Sequence, residues 1–235
     1  MKQIKILIFV LALFAFVSCQ KSDIQKPTDN LSKSSTDEVS LSKNGDVFTL
    51  SLIPGKSKGQ DVYVVEQAGV ESGNVNYVPE LSISSWTVDG APYTSGSLIR
   101  FVNLNKVPSS SKVLSAQLHL YGLSSSESTP QGNYGPNACF IKRVTEPWND
   151  NTVTFPTKPT STNEDEATLP ASTSQWNYNP VVDVTKLVAY MVAHPDQNFG
   201  FYIRLKNQET YRSLVFGSCE QSNSNLRPKL VIKYQ

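Results

Sequence analysis

From residue 46 to the C terminus the chain repeats one local pattern: a short run of alternating apolar and polar residues, then a cluster of Gly, Pro, Asn or Ser. The runs are VFTLSLI (47–53), DVYVV (61–65), SLIRFVNL (97–104), SAQLHLYGL (115–123), CFIKRV (139–144), NTVTF (151–155), GFYIRL (200–205), SLVFGS (213–218) and KLVIKY (229–234). A period of two sends successive side chains to opposite faces of an extended strand, so each run has one face that needs cover from a second layer. Many such strands separated by turn residues fold as an antiparallel sandwich or barrel, and the expected class is all-β. Alternation also assigns faces: Ala116, Leu118 and Leu120 against Gln117, His119 and Tyr121, and Phe201, Ile203 and Leu205 against Tyr202, Arg204 and Lys206. One segment breaks the pattern. Val184, Leu187, Val188, Met191 and Val192 recur at the spacing of a buried helical stripe, with Asp183 or Thr185 to cap its start and Pro195 to close its end, which predicts a short helix near 184–194 covering an edge or end of the sandwich.

The N terminus is of another kind. A basic start, MKQIK, precedes a wholly apolar run at 6–17, ILIFVLALFAFV, and then SCQKSD turns polar. A dozen apolar residues fall short of the roughly 20 that a spanning helix requires, so the segment reads as an export signal over 1–18. The FVSC ending resembles the lipobox of bacterial lipoproteins, which implies cleavage before Cys19 and acylation of that cysteine. Several acyl chains on one residue give a stable anchor. Residues 20–45 are rich in Ser, Lys, Asp and Asn with few large apolar groups, so 19–45 is expected to be a flexible tether. Its start is similar to the sorting segments of surface-exposed lipoproteins in Bacteroidetes. The expected location is the outer membrane, lipid-anchored and facing outward.

Residues 46–235 are enough for one domain with a real core. A net charge of +1 gives no broad attraction to nucleic acid or to anionic membrane surfaces. Cys139 and Cys219 leave two alternatives open, a disulfide or two buried free thiols. With no C-x-x-C pair and with His119 and His194 far apart, a zinc site has no ligand set. The polar stretch 157–174 reads as a long connection, and its Glu164, Asp165 and Glu166 are candidates for a structural calcium, against the simpler reading of a solvated charge run. No other cofactor is expected.

Catalysis finds little support. The strands contain almost no acids, Glu146 and Asp150 share a single turn, G-x-S-x-G is absent, and His119 has no acid in its own segment. Binding is better supplied. Sugars are recognised by flat aromatic rings and planar polar groups, and acidic sugars add a demand for Arg or Lys. Tyr121 with His119, and Tyr202 with Arg204 and Lys206, have that composition if the two strands share a sheet.

Taken in order, DVYVVEQ (61–67), SLIRFVNLNKVPSSSKVLSAQLHLYG (97–122), IKRVTEPWNDNTVTFPTKP (141–159), WNYNPVVDVTKLV (176–188), NFGFYIRL (198–205), LVFGSCE (214–220) and LRPKLVIKY (226–234) resemble the DNRLRE domain. The resemblance covers residues 46–235 and implies a β-sandwich of jelly-roll type, of a kind classed among carbohydrate-binding modules, with alginate-type polysaccharides as ligands of some members. There are departures. Asn103 stands at an aspartate position, Phe155 replaces the second tryptophan, and NVNYVPEL (74–81) only loosely echoes an NYG element. By their places in the pattern, Trp148 and Trp176 are expected to pack at corners of the sandwich. Trp86 lies outside every landmark and is a candidate for an exposed ring. The expectation is a non-enzymatic surface lipoprotein that binds polysaccharide and assists its uptake. The alternative is a structural or adhesive module that binds protein.

Overall fold

The computed structural model describes residues 38–235 except 70–72 and 77. The expected leader, Cys19, the tether up to residue 37 and Tyr77 of the NVNYVPEL echo lie outside the described residues.

The strands are β1 (Glu38–Asn44), β2 (Val47–Ile53), β3 (Gly59–Gln67), β4 (Gly73–Val75), β5 (Glu80–Val88), β6 (Ala91–Phe101), β7 (Val113–His119), β8 (Cys139–Val144), β9 (Ser161–Leu169), β10 (Val181–Asp183), β11 (Phe201–Leu205), β12 (Arg212–Gly217) and β13 (Lys229–Tyr234). The α-helix, α1, is Thr185–Ala193. Two antiparallel sheets form. One has five strands in the order β1-β2-β13-β7-β10, and the other has eight, in the order β12-β5-β6-β11-β8-β9 with β3 added to β6 and β4 to β3.

The alternation of the strands builds the space between the sheets. Leu50, Leu52, Ala116, Leu118, Leu230 and Ile232 of the smaller sheet join Ile83, Ile99, Ile141, Ile203, Leu214 and Phe216 of the larger one in a single buried cluster. Helix α1 adds Leu187, Val188, Met191 and Val192 to that cluster and packs on β7 and β9, as its stripe predicts. Asp183 accepts from the backbone N–H and the hydroxyl of Thr185 at 2.9 and 2.6 Å, and these bonds hold its carboxyl below the usual carboxylate range. A second apolar cluster lies on the other side of the larger sheet. There Val62, Val64, Leu98 and Tyr202 pack with Val144, Val153 and Phe155, and Trp148 leans on them.

Three expectations are corrected. Residues 38–44 are strand rather than tether: β1 pairs with β2 along its whole length through a turn at Gly45, whose φ is +59°. All seven of its residues are exposed, so backbone pairing rather than side-chain burial makes the strand, and polar composition does not oppose it. NTVTF is irregular, with Val153 and Phe155 folded onto the sheet without entering a ladder. Within the supposed loop 157–174, Ser161–Leu169 is an edge strand on β8. Asp165, at φ +56°, interrupts it where the register shifts.

Candidate binding cleft

Strands β8 and β11 pair with Tyr202 opposite Lys142 and Arg204 opposite Phe140. Cross-strand partners share a face, so these four side chains stand together on the side of the sheet away from the main core. Residues 145–160 then fold back over that face. Asn149 accepts from Asn151 N–H in a local turn, the Trp148 indole donates to the Phe199 carbonyl at 2.8 Å, and Gln60 donates to the Trp148 carbonyl at 2.8 Å. Glu146 accepts from Thr160 N–H at 3.2 Å and closes the loop's base. Trp148 is therefore a corner residue, as expected, tied at both its ring and its backbone.

The loop leaves an open cleft of about 510 Å³ lined by Phe140, Lys142, Lys158, Tyr202, Arg204 and Lys206, with Thr160, Ser161 and Gln208 among the polar groups. Four cations line it and no carboxylate does. They are held rather than loose. Lys158 donates to the Phe155 carbonyl at 3.0 Å and lies 4.1 Å from that ring's centroid, Lys206 donates to Thr168 at 2.7 Å, and Lys142 donates to Asn163 at 2.6 Å. Lys142 and Lys206 flank the Phe140 ring at 4.7 and 4.9 Å. Burial first, and then the charge of Arg204, lowers the Lys158 pKa, while Glu66 opposes the shift. Burial pushes the Tyr202 phenol up to about 12 despite Arg204, so it stays a neutral donor. The Tyr202 hydroxyl and the Arg204 Nε are buried with no hydrogen-bond partner among the described residues. The hydroxyl lies against Gly96 of β6, where an added Cβ would come within 2.6 Å of it, whereas Arg204 lines the cleft, and buried polar groups are rarely left without a partner.

The other candidates stand elsewhere. His119 ends β7 in the five-stranded sheet and Tyr121 follows it, so they do not join Tyr202 and Arg204, because β11 belongs to the other sheet. His119 pairs across the sheet with Val181 and Lys229; burial and then the Lys229 charge lower its pKa. Trp86 lies on β5, half-buried and in contact with Tyr134 and Tyr211. Trp176 is half-buried beside Gly132, where an added Cβ would come within 2.9 Å of its ring. Phe140, Lys142 and Lys158 were missed. Alternation in CFIKRV already puts Phe140 and Lys142 on one face, whereas Lys158 is placed only by the folded-back loop.

The acidic run does not assemble a calcium loop. Glu164 faces Arg143 at 3.6 Å, Asp165 faces Lys186 at 3.4 Å and Glu166 faces Lys142 at 3.7 Å, so three carboxylates go to three different cations. Cys139 and Cys219 are free buried thiols and not a bridge. Cys139 lies in β8 within the main core and donates weakly to the Asn137 carbonyl, while Cys219 follows β12 and touches Asp61 and Glu220. Burial raises both thiols, so neither is a reactive thiolate. Asp61, Cys219 and Glu220 bring one ligand-type atom each within 4.8 Å of one another. Their bonding there is internal: Asp61 accepts from Cys219 N–H at 2.9 Å, and Glu220 accepts from the Ser218 hydroxyl at 2.6 Å.

The larger of the two antiparallel sheets carries a cation-lined cleft on its outer face, and no carboxylate is among the residues that line it. A comparison with curated proteins finds no match. The family model of carbohydrate-binding module family 96 matches residues 56–234, most of the chain and all the strands that form the cleft, so this chain belongs to carbohydrate-binding module family 96.

Proposed function

We propose that the protein is a non-catalytic binder of acidic polysaccharide, which it holds in the cleft between β8, β11 and the 145–160 loop. The observation that carries this reading is the cleft's composition: Lys142, Lys158, Arg204 and Lys206 without a lining carboxylate, beside the Phe140 and Tyr202 rings. Uronate carboxylates or sulfate esters would meet Arg204 and the lysines in charge-assisted hydrogen bonds, and the apolar face of the sugar would meet an aromatic ring. The lipobox-like leader and the polar stretch after Cys19 support a lipid-anchored placement on the outer membrane, where such a protein would capture polysaccharide for a neighbouring uptake system.

Affinity electrophoresis through gels containing polygalacturonate, alginate or a neutral glucan tests the cleft. The acidic gels should retard the wild-type protein, and Arg204→Ala should weaken that binding about tenfold or more. Lack of retardation in every acidic gel would overturn the reading. Labelling cells with a fatty-acid analogue tests the anchor: incorporation should be lost in Cys19→Ala.

A further inference from the structure

A second aromatic surface is built around Trp86 of β5. The β5–β6 hairpin turns through Asp89 and Gly90, with φ of +50° and +79°, and Val88 opposes Ala91 across it. A two-residue Asp-Gly turn of this kind fixes register, and so it fixes Trp86 opposite Tyr93. From the other side Tyr134 and Ser213 exchange two backbone hydrogen bonds of 3.0 Å, which sets Tyr134 beside the start of β12. Gly135 permits the approach, since a Cβ there would come within 2.7 Å of Arg212 Cδ and 2.9 Å of the Tyr211 carbonyl. Tyr211 itself sits at φ +66°, a strained conformation for an aromatic residue.

The outcome is a group of three rings. Tyr134 and Tyr211 stand at 82° and 80° to Trp86, with centroids 5.6 and 4.9 Å away. Nevertheless Tyr134 is 52 % and Tyr211 49 % exposed. Rings held by a hairpin, a bridge and a strained backbone, yet left half in water, are not there for the core. Beside Trp86 a recess of about 260 Å³ runs to the 128–131 segment. Its lining contains Tyr93, Thr87 and Gln131, with Ser128, whose hydroxyl is given to Glu80, and no charged group. Arg212, next in the chain to Tyr211, gives one guanidinium nitrogen to Glu209 at 2.6 Å, and its buried Nε has no hydrogen-bond partner among the described residues.

We infer that Trp86, Tyr134 and Tyr211 form a second carbohydrate site, specific for neutral pyranose residues, acting independently of the cationic cleft. Carbon-bound hydrogens on one face of a neutral sugar pack on the rings, and its hydroxyls find the hydroxyl and amide groups of the recess. A uronate would bury its charge there without a cation, which disfavours it. The recess lies below the roughly 300–1,000 Å³ of sites that enclose a drug-sized ligand, the scale of a single ring rather than a long segment. The inference rests on the family's carbohydrate binding and does not depend on the acidic ligand assigned to the cleft.

Titration of tryptophan fluorescence with cellohexaose, mannohexaose, xylohexaose and laminarihexaose, and separately with polygalacturonate oligomers, tests it. At least one neutral hexasaccharide should give a saturable change that is about tenfold weaker in Tyr134→Ala/Tyr211→Ala and intact in Arg204→Ala. Melting temperatures accompany each variant, and half-exposed Tyr134→Ala alone replaces the pair if the pair melts early. No saturable change with any neutral hexasaccharide, or one that survives loss of the tyrosines, or one abolished by Arg204→Ala, would overturn the second site. Failure of the cleft appears separately, as loss of the polygalacturonate response alone.

Discussion

Asp61 lies in β3 with its carboxyl enclosed, accepting from the Cys219 backbone at 2.9 Å and close to a second carboxylate, Glu220. Burial first, and then the charge of Glu220, raises its pKa well above the ordinary 3.8. The folded chain therefore keeps this proton to higher pH than the unfolded chain does. Between the two values the unfolded chain binds fewer protons, so Asp61's contribution to stability is full below 3.8 and is lost as pH rises through the folded value. Asp61→Asn keeps an acceptor for the Cys219 N–H and removes the titration. Urea midpoints measured from pH 3.5 to 8 should show the wild type losing stability relative to Asp61→Asn as pH rises. Parallel curves would show that the carboxyl titrates alike in both states. Nothing in DVYVV marks Asp61 as enclosed, because its partner Cys219 lies 158 residues away.

Among the elements, alternation was a good guide wherever one face of a strand meets the main core. The predicted inward sets at 116–120 and 201–205 are buried, and the helix stands where its stripe put it. It failed where backbone pairing outweighs composition. Three consecutive acids made Ser161–Leu169 look like a loop, but an edge strand tolerates charge on both faces, and cations from β8 and α1 meet these acids. It failed in the opposite sense at NTVTF, whose apolar residues cover a sheet instead of joining one. The cleft was half legible: Tyr202, Arg204 and Lys206 follow from one strand's alternation, but no local pattern says which sheet a strand enters, and His119 and Tyr121 went to the other. Phe155 gives the covering loop its hold, 6 % exposed and under Lys158. Phe155→Ala should cost about 3 kcal/mol in urea denaturation and weaken acidic-glycan retardation as well, because the cleft's wall goes with it. Retained binding with lost stability would separate the wall from the site.

For the molecule as a whole, a net charge of +1 hides an uneven distribution in which four cations border one cleft. Attraction to an acidic chain is thus local, and partly exposed cations are screened by salt. Raising NaCl from about 0.05 to about 0.5 M should weaken polygalacturonate binding several-fold and leave the neutral-hexasaccharide response of Trp86 nearly unchanged. Equal sensitivity of the two would mean one shared site. The wholly exposed β1 carries a mechanical consequence. It is the first described strand after the N-terminal segment, sits at the rim of the five-stranded sheet, and is joined to β2 without a buried side chain of its own. Tension entering from the N-terminal side meets this strand before any other described one. Peeling it away would free seven residues while Leu50 and Leu52 of β2, still paired with β13, keep the interior shut.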